Sequence, residues 1–195
     1  IAHLVHAMGR GIEIAIPTVS IGSLLDSSSA SCEAEFDAEK VVDDILAGPV
    51  AWLIDRAEGG PRALGFRSLL ADPRTLESKT ILNVMKQRQT WRPVAPVVLE
   101  HLAREWFDLE RSSPHMLEAC RLRPGQGPLV PAIVHLDGTA RVQTIAKDSH
   151  PLLWRVISAF NTRTGVPMLC NTSLNDRGEP IVESIQQALN FCMNG

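Results

Sequence analysis

The chain has 195 residues, 45% hydrophobic and 21% charged, with a formal net charge of −3. That is enough for one well-cored domain, or one domain with an arm, and the slightly acidic total argues against a general nucleic-acid or membrane-surface binder. The charge is unevenly distributed: residues 56–93 hold eight basic against three acidic side chains, whereas residues 1–55 hold two against nine.

The chain opens on Ile1, without an initiator Met, and the first residues predict a fragment of a longer polypeptide. Ile12, Ile14 and Ile16 alternate with Glu13 and Ala15 as in a short strand. His3 and His6 share the spacing of a helical face, where two histidines near a chain end form a solvated surface more often than a metal site. The apolar run 14–25 falls short of the roughly 20 residues of a membrane helix and is broken by Pro17, so neither a span nor a targeting segment is expected. The run Ser27–Ser31 predicts a loop, and residues 1–31 are set apart as an arm or linker ahead of a domain over 32–195. Cys32, Cys120, Cys170 and Cys192 lack paired metal spacing, which predicts buried free thiols and a cytoplasmic protein.

Phe36 to Ala47 has helical spacing and is stopped by Gly48-Pro49. Val50–Ile54 then has the composition of a buried strand, and it runs into Asp55, Arg56 and the Gly-Gly-Pro turn. A basic motif that begins where a strand ends is placed where open α/β sheets bind ligands. Ser68–Ala71 predicts a further strand, Leu76–Gln89 a helix ended by Arg92-Pro93, Val94–Leu99 a strand, Glu100–Phe107 a short helix and Ser112–Pro131 mostly loop. Ala132–Leu136, the Asp137-Gly138 turn and Thr139–Ile145 predict a hairpin whose second arm presents Arg141 and Gln143 on one face. Pro151–Thr164 predicts a helix, Gly165–Cys170 a strand ending at Asn171-Thr172-Ser173-Leu174-Asn175, and Ser184 the cap of a last helix, Ile185–Met193.

Arginines interrupted by Gly-Gly-Pro and Leu-Gly suit a multiply charged anion: planar donor forks for phosphate oxygens and backbone that can approach closely. The alternative is a solvated basic face, and a single-stranded RNA partner stays open on the local charge. The uncharged Asn-Thr-Ser-x-Asn group offers hydroxyls and amides suited to a sugar, a carbamoyl amide or a nucleobase.

Gly60-Pro-Arg-Ala-Leu-Gly65 with Arg67-Ser68, Ala71-Asp-Pro-Arg74, Asn83 to Pro96, Val134 to Gln143, and Asn171-Thr-Ser-Leu-Asn with Gly178-Glu-Pro-Ile-Val182 occur in a recognisable order. Over roughly residues 36–193 the chain resembles the C-terminal domain of the O-carbamoyltransferases that act on nodulation factors, tobramycin and cephems. The resemblance implies a YrdC-like fold, an α/β (α+β) open twisted mixed sheet with flanking helices and a basic groove. It implies formation of carbamoyl adenylate from carbamoyl phosphate and ATP with Mg²⁺, and a separate N-terminal kinase-like, metal-bearing domain that passes the carbamoyl group to a hydroxyl of a small-molecule acceptor. Arg62, Ser68, Lys86, Arg92, Arg141, Asn171 and Ser173 would line the site, with Lys86, Arg92 and Arg62 as its catalytic cations. Arg67, Arg88, Gln143 and Asn175 complete the candidate set, and no protein metal ligand is expected. The pattern departs from the family at Gly59, Phe66 and Gln89, where Phe, Asn and Glu are usual. Two other functions are a threonylcarbamoyl-adenylate synthase and a non-catalytic nucleotide- or RNA-binding module.

Overall fold

The computed structural model describes residues 3–7, 12–16, 36–54 and 57–193. The Ser27–Ser31 run, Cys32, Asp55 and Arg56 lie outside the described residues. The strands are β1 (His3–Ala7), β2 (Ile12–Ile16), β3 (Val50–Leu53), β4 (Arg67–Ala71), β5 (Ala95–Leu99), β6 (Ala119–Arg121), β7 (Thr139–Arg141), β8 (Gln143–Ile145) and β9 (Met168–Ser173). The helices are α1 (Ala38–Ala47), α2 (Leu76–Met85), α3 (Ala103–Trp106), α4 (Pro151–Thr164) and α5 (Ile185–Met193).

Seven strands form an open mixed sheet in the order β1-β2-β3-β4-β9-β5-β8, with β2–β3 and β5–β8 parallel and the other pairs antiparallel. This is the fold class the resemblance implies. Every residue of β3, β4 and β5 is buried, which is why β3 and β5 read as continuous apolar runs in the sequence rather than as alternations, while β4 buries Arg67 and Ser68 as well. Helices α1 and α4 pack together over one face. Val41, Val42 and Ile45 of α1 and Leu153, Val156, Ile157 and Phe160 of α4 are nearly inaccessible, and Phe36 meets Trp52 of β3 edge-on at 6.1 Å.

The helix ends follow their capping chemistry. Asp37 Oδ1 accepts from the amides of Glu39 and Lys40 at 3.0 and 3.2 Å. Pro151 opens α4, and Gly165 closes it in the left-handed region at φ 75°, its N–H donating to Asn161 O at 2.8 Å. Ser184 Oγ accepts from Gln187 N at the start of α5.

Three expectations are corrected. His3–Ala7 is a strand, so the helical spacing read for His3 and His6 is absent. Helix α2 ends at Met85 instead of Gln89, because Gln87 turns to φ 48° and residues 88–92 fold back on Asn83. The hairpin over 132–145 does not form, although its turn does: Gly138 sits at φ 77° and His135 N donates to Thr139 O at 2.8 Å. The first arm is a 3₁₀ turn, Pro131–Ile133, because Pro131 has no N–H for a ladder and Val130, Ala132 and Ile133 are fully buried. Thr139–Arg141 pairs instead with Ala119–Arg121, a strand hidden in the stretch expected to be loop, and Gln143–Ile145 pairs with β5.

Candidate functional site

The topology brings the start of β4, the start of β5, the start of β8 and the end of β9 to one end of the sheet. Cross-strand partners share a face. Ser68 opposes Trp52 on one side and Ser173 on the other, and Asn171 lies two residues along β9. Gln143 opposes Val97, which opposes Leu169, so Gln143 shares the same face. Trp52, Ser68, Asn171, Ser173 and Gln143 therefore form a row across four strands.

Residues 58–66 cross this row as a loop whose backbone is held on both sides. Three successive carbonyls are each taken by a buried side chain. Asn171 Nδ2 donates to Ala63 O at 3.1 Å, Gln143 Nε2 to Leu64 O at 2.7 Å, and Trp52 Nε1 to Gly65 O at 2.9 Å. On the other side Glu58 Oε1 accepts from the amides of Leu64, Phe66 and Arg67 at 2.8, 2.8 and 3.1 Å. Gly65 has φ +101°, and a Cβ there would stand 2.7 Å from Leu153 Cδ2 and 3.2 Å from His150 Cδ2, so no other residue fits without movement.

Arg62 of this loop, Arg88, Arg92 and Arg141 form a chain of mutually repelling cations. Arg88 is held below the usual guanidinium range, to about 10, by burial first and then by Arg92 and Arg141. Arg141 is lowered by burial and by Arg62. Arg62 and Arg92 are exposed, and their side chains make no hydrogen bond or ion pair among the described residues. Arg88 Nη2 and Arg141 Nε are buried with no partner among the described residues, as are Ser68 Oγ and Asn171 Oδ1. Glu58 Oε2 and His150 Nε2, beside the same loop, are unpaired as well. Buried polar atoms are paired in nearly all native structures, so orphans gathered round one sheet end mark a place where a ligand completes the bonding.

Lys86 caps α2 and turns its amine to the end of β9. Nζ bonds the Ser173 carbonyl, and lies 3.2 Å from Ser173 Oγ, 2.9 Å from Asn175 O and 2.7 Å from Asn175 Oδ1. Ser173 Oγ also bonds Asn175 Oδ1 at 2.6 Å. Burial, reinforced by Arg88 and opposed by Asp176, pushes the Lys86 ammonium down to about 7. Lys86, Ser173 and Asn175 thus satisfy one another, whereas Ser68, Arg88 and Arg141 face the ligand space with free atoms.

Arg67 stands apart from the cluster. It is buried, and its guanidinium donates to the carbonyls of Ile54 (2.7 Å), Phe66 (3.0 Å) and Glu183 (3.3 and 3.4 Å), joining the loop, β3 and the lead into α5. Gln143 likewise spends its amide on Leu64 and Asn171, and its role is to shape the loop. Of the positions that depart from the family pattern, Gly59 faces open space, and Gln89 is exposed. The half-buried Phe66 packs on His150 with ring centroids 4.8 Å apart.

Trp52, Glu58 and His150 escaped the sequence reading. Glu58 alone carried a signal, as the single acid among the arginines of the loop. The burial of His150 lowers the imidazole's affinity for protons, against the Leu64 backbone and Glu58, which raise it. A cleft of about 480 Å³ lined by His101, Arg104, Arg111, Lys147 and Trp154 lies beyond the other ends of β5 and β8 and gathers none of the expected site residues.

Residues 42–195 match the family model described as carbamoyltransferase C-terminus. Nodulation protein NolO of Bradyrhizobium diazoefficiens is 47% identical over 144 residues, covering 72% of this chain and 26% of that protein. The 3′-hydroxymethylcephem-O-carbamoyltransferase of Amycolatopsis lactamdurans is 41% identical over 143 residues, covering 73% and 27%. The chain thus spans about a quarter of the length of the curated relatives it matches. Among solved structures, full-length HypF in a phosphate- and nucleotide-bound form superposes on 80% of this chain and 19% of its own with a TM-score of 0.55 at 18% identity, a likeness of fold. With the match running through the arginine-rich loop, the lysine that caps α2 and the asparagine-rich end of β9, the chain belongs to the carbamoyltransferase C-terminus family.

Proposed function

We propose that this chain forms carbamoyl adenylate from carbamoyl phosphate and ATP, the activating half of a transfer whose acceptor is a hydroxyl bound by another part of a longer protein. The observation that carries this reading is the chemistry of the orphaned atoms. Arg88 Nη2 and Arg141 Nε are cationic donors that suit an anion, Asn171 Oδ1 requires a donor, and the Ser68 hydroxyl can serve either way. A phosphate joined to a small amide answers all four: its oxygens take the guanidinium N–H groups, its NH₂ donates to Asn171 Oδ1, and its carbonyl accepts from Ser68.

No protein nucleophile is needed. Water converts carbamoyl phosphate to carbamate and phosphate. A carbamate oxygen then forms a bond to the α-phosphorus of ATP as the bond to pyrophosphate breaks. The chain's part is to position two anions that repel each other and to neutralise the charge that accumulates on the leaving group, the work of Arg62, Arg88, Arg92 and Lys86. Mg²⁺ would enter on the nucleotide phosphates. Among the described residues no group of three His, Cys, Asp or Glu side chains could hold it, so its ligands would be mainly phosphate oxygens and water. HypF, part of which shares this fold, is a protein solved with phosphate and nucleotide bound, the same two kinds of ligand. Cys120 and Cys170 are buried free thiols, which supports placing the protein in a reducing cytoplasm. Among the described residues no helix is long and apolar enough to cross a membrane.

The test is pyrophosphate release by the purified chain with ATP and Mg²⁺, with and without carbamoyl phosphate. Release that requires both substrates is the expected result. No release from a chain that binds neither ligand by calorimetry would refute the proposal.

A further inference from the structure

We infer that Trp91 is a stacking platform for the purine base of the nucleotide, an inference that rests on the nucleotide reading above and deepens it. Trp91 is 64% exposed, while Trp52 and Trp106 are buried and Trp154 is half-buried. It makes no ring or cation contact within the described residues. An indole left in water forgoes a large apolar contact area, and a lone exposed aromatic on a loose loop would need no explanation.

The mount of Trp91 is not loose. Asn83 on α2 is fully buried and gives its whole amide to the segment that carries the indole: Nδ2 donates to the carbonyl before Trp91, Thr90 O, at 2.9 Å, and to the carbonyl after it, Arg92 O, at 3.0 Å. Its Oδ1 accepts from Arg88 Nε at 2.5 Å. The backbone adds Arg88 N to Asn83 O at 3.0 Å and Arg92 N to Gln89 O at 3.1 Å. One buried side chain therefore fixes the backbone that carries an exposed indole, together with an arginine that has an orphaned N–H, in a single turn.

The same turn supplies Arg92, whose charge acts on Arg88. An aromatic surface on the same turn as Arg92, whose side chain has no partner among the described residues, and Arg88, whose Nη2 is unpaired, matches a ligand that has both a flat ring and a chain of phosphates. Stacking on an aromatic side chain tolerates any base and strengthens with ring size, which favours purines, and the phosphates reach the arginines from the same rim.

The experiment measures the affinities of wild-type, W91A and W91F chains for ATP and for inorganic tripolyphosphate, which carries the charge but has no ring to stack. W91A is expected to bind ATP about five- to 150-fold more weakly while keeping its tripolyphosphate affinity, with W91F recovering most of the loss. ATP is also expected to quench a fluorescence component that W91A lacks. Equal ATP affinity in wild type and W91A, or an equal loss for both ligands, would overturn the inference. If the wild-type chain bound tripolyphosphate but gained nothing from the adenosine, the base platform would be refuted while the anion site stood. If it bound neither, the nucleotide reading itself would fall. Thermal melts of both variants separate ligand loss from misfolding, because the indole contributes little buried surface to the fold.

Discussion

Lys86 links the stability of the fold to the pH at which the site works. Its ammonium stands near 7 instead of the ordinary 10.5, chiefly because it is buried, and the gap of about 3.5 pH units corresponds to a cost of at most about 5 kcal/mol for keeping it charged. The sign follows from the direction. A base whose folded value lies below its unfolded value gives up its proton in the native state first. Between about pH 7 and pH 10.5 the unfolded chain therefore holds the extra proton, and the native state gains up to about 1.4 kcal/mol per pH unit from this group. Below about pH 7 both states are protonated and the cost is constant. Lys86→Met removes the titration, although it also orphans the Ser173 and Asn175 acceptors. The absolute offset between the two proteins mixes those effects, but the change of the offset with pH does not. Urea unfolding of both proteins at about pH 8.0 and 9.5 should show the wild type gaining about 2 kcal/mol on the Met variant over that interval. Parallel pH profiles would refute the reasoning and mean that the four nearby acceptors offset the burial. In the wild type, affinity for inorganic tripolyphosphate should fall as pH rises above about 7, since the ligand then meets a neutral amine.

Gly65→Ala places a Cβ 2.7 Å from Leu153 Cδ2 at a positive φ and should destabilise the fold by about 2–4 kcal/mol, read as a lower melting temperature. Glu58→Gln keeps one acceptor oxygen and loses the charge that holds three amides. It should speed hydrogen exchange at Leu64, Phe66 and Arg67 and cost about 1–2 kcal/mol. Arg92→Ala should abolish pyrophosphate release with a melting temperature close to wild type, because its exposed guanidinium has no partner within the described residues. Unfolding of that variant would show the arginine to be structural.

The elements that were legible in the sequence are those whose signals are local. Pro151 and Gly165 mark the ends of α4 to the residue, and Ser184 marks the start of α5. The buried strands β3 and β5 stood out as apolar runs. Strand β6 was not legible, because three residues with only Cys120 buried carry no period. The Asp137-Gly138 turn was legible but its partner arms were not, since pairing is decided by what lies beside Thr139–Arg141 in space. The same division holds at the site. Contrast of charge along the chain exposed Arg62, Arg88 and Arg92 as a group, the uncharged Asn-Thr-Ser-x-Asn strand end exposed Asn171 and Ser173, and family motifs added Ser68. Nothing local could show that the Arg67 guanidinium is occupied by backbone carbonyls, or that Trp52, thirteen residues away from Gly65, holds its carbonyl.

The clamped loop of residues 58–66 has a kinetic consequence. A binding loop that is mobile before it meets its ligand must be ordered at the encounter, which weakens binding and slows capture. Here the carbonyls of Ala63, Leu64 and Gly65 are tied to side chains from three different strands before any ligand arrives, so little ordering is left for the ligand to impose. Capture of an anion should then be limited by diffusion in the field of the arginines. Added salt should slow arrival and leave the escape rate nearly unchanged.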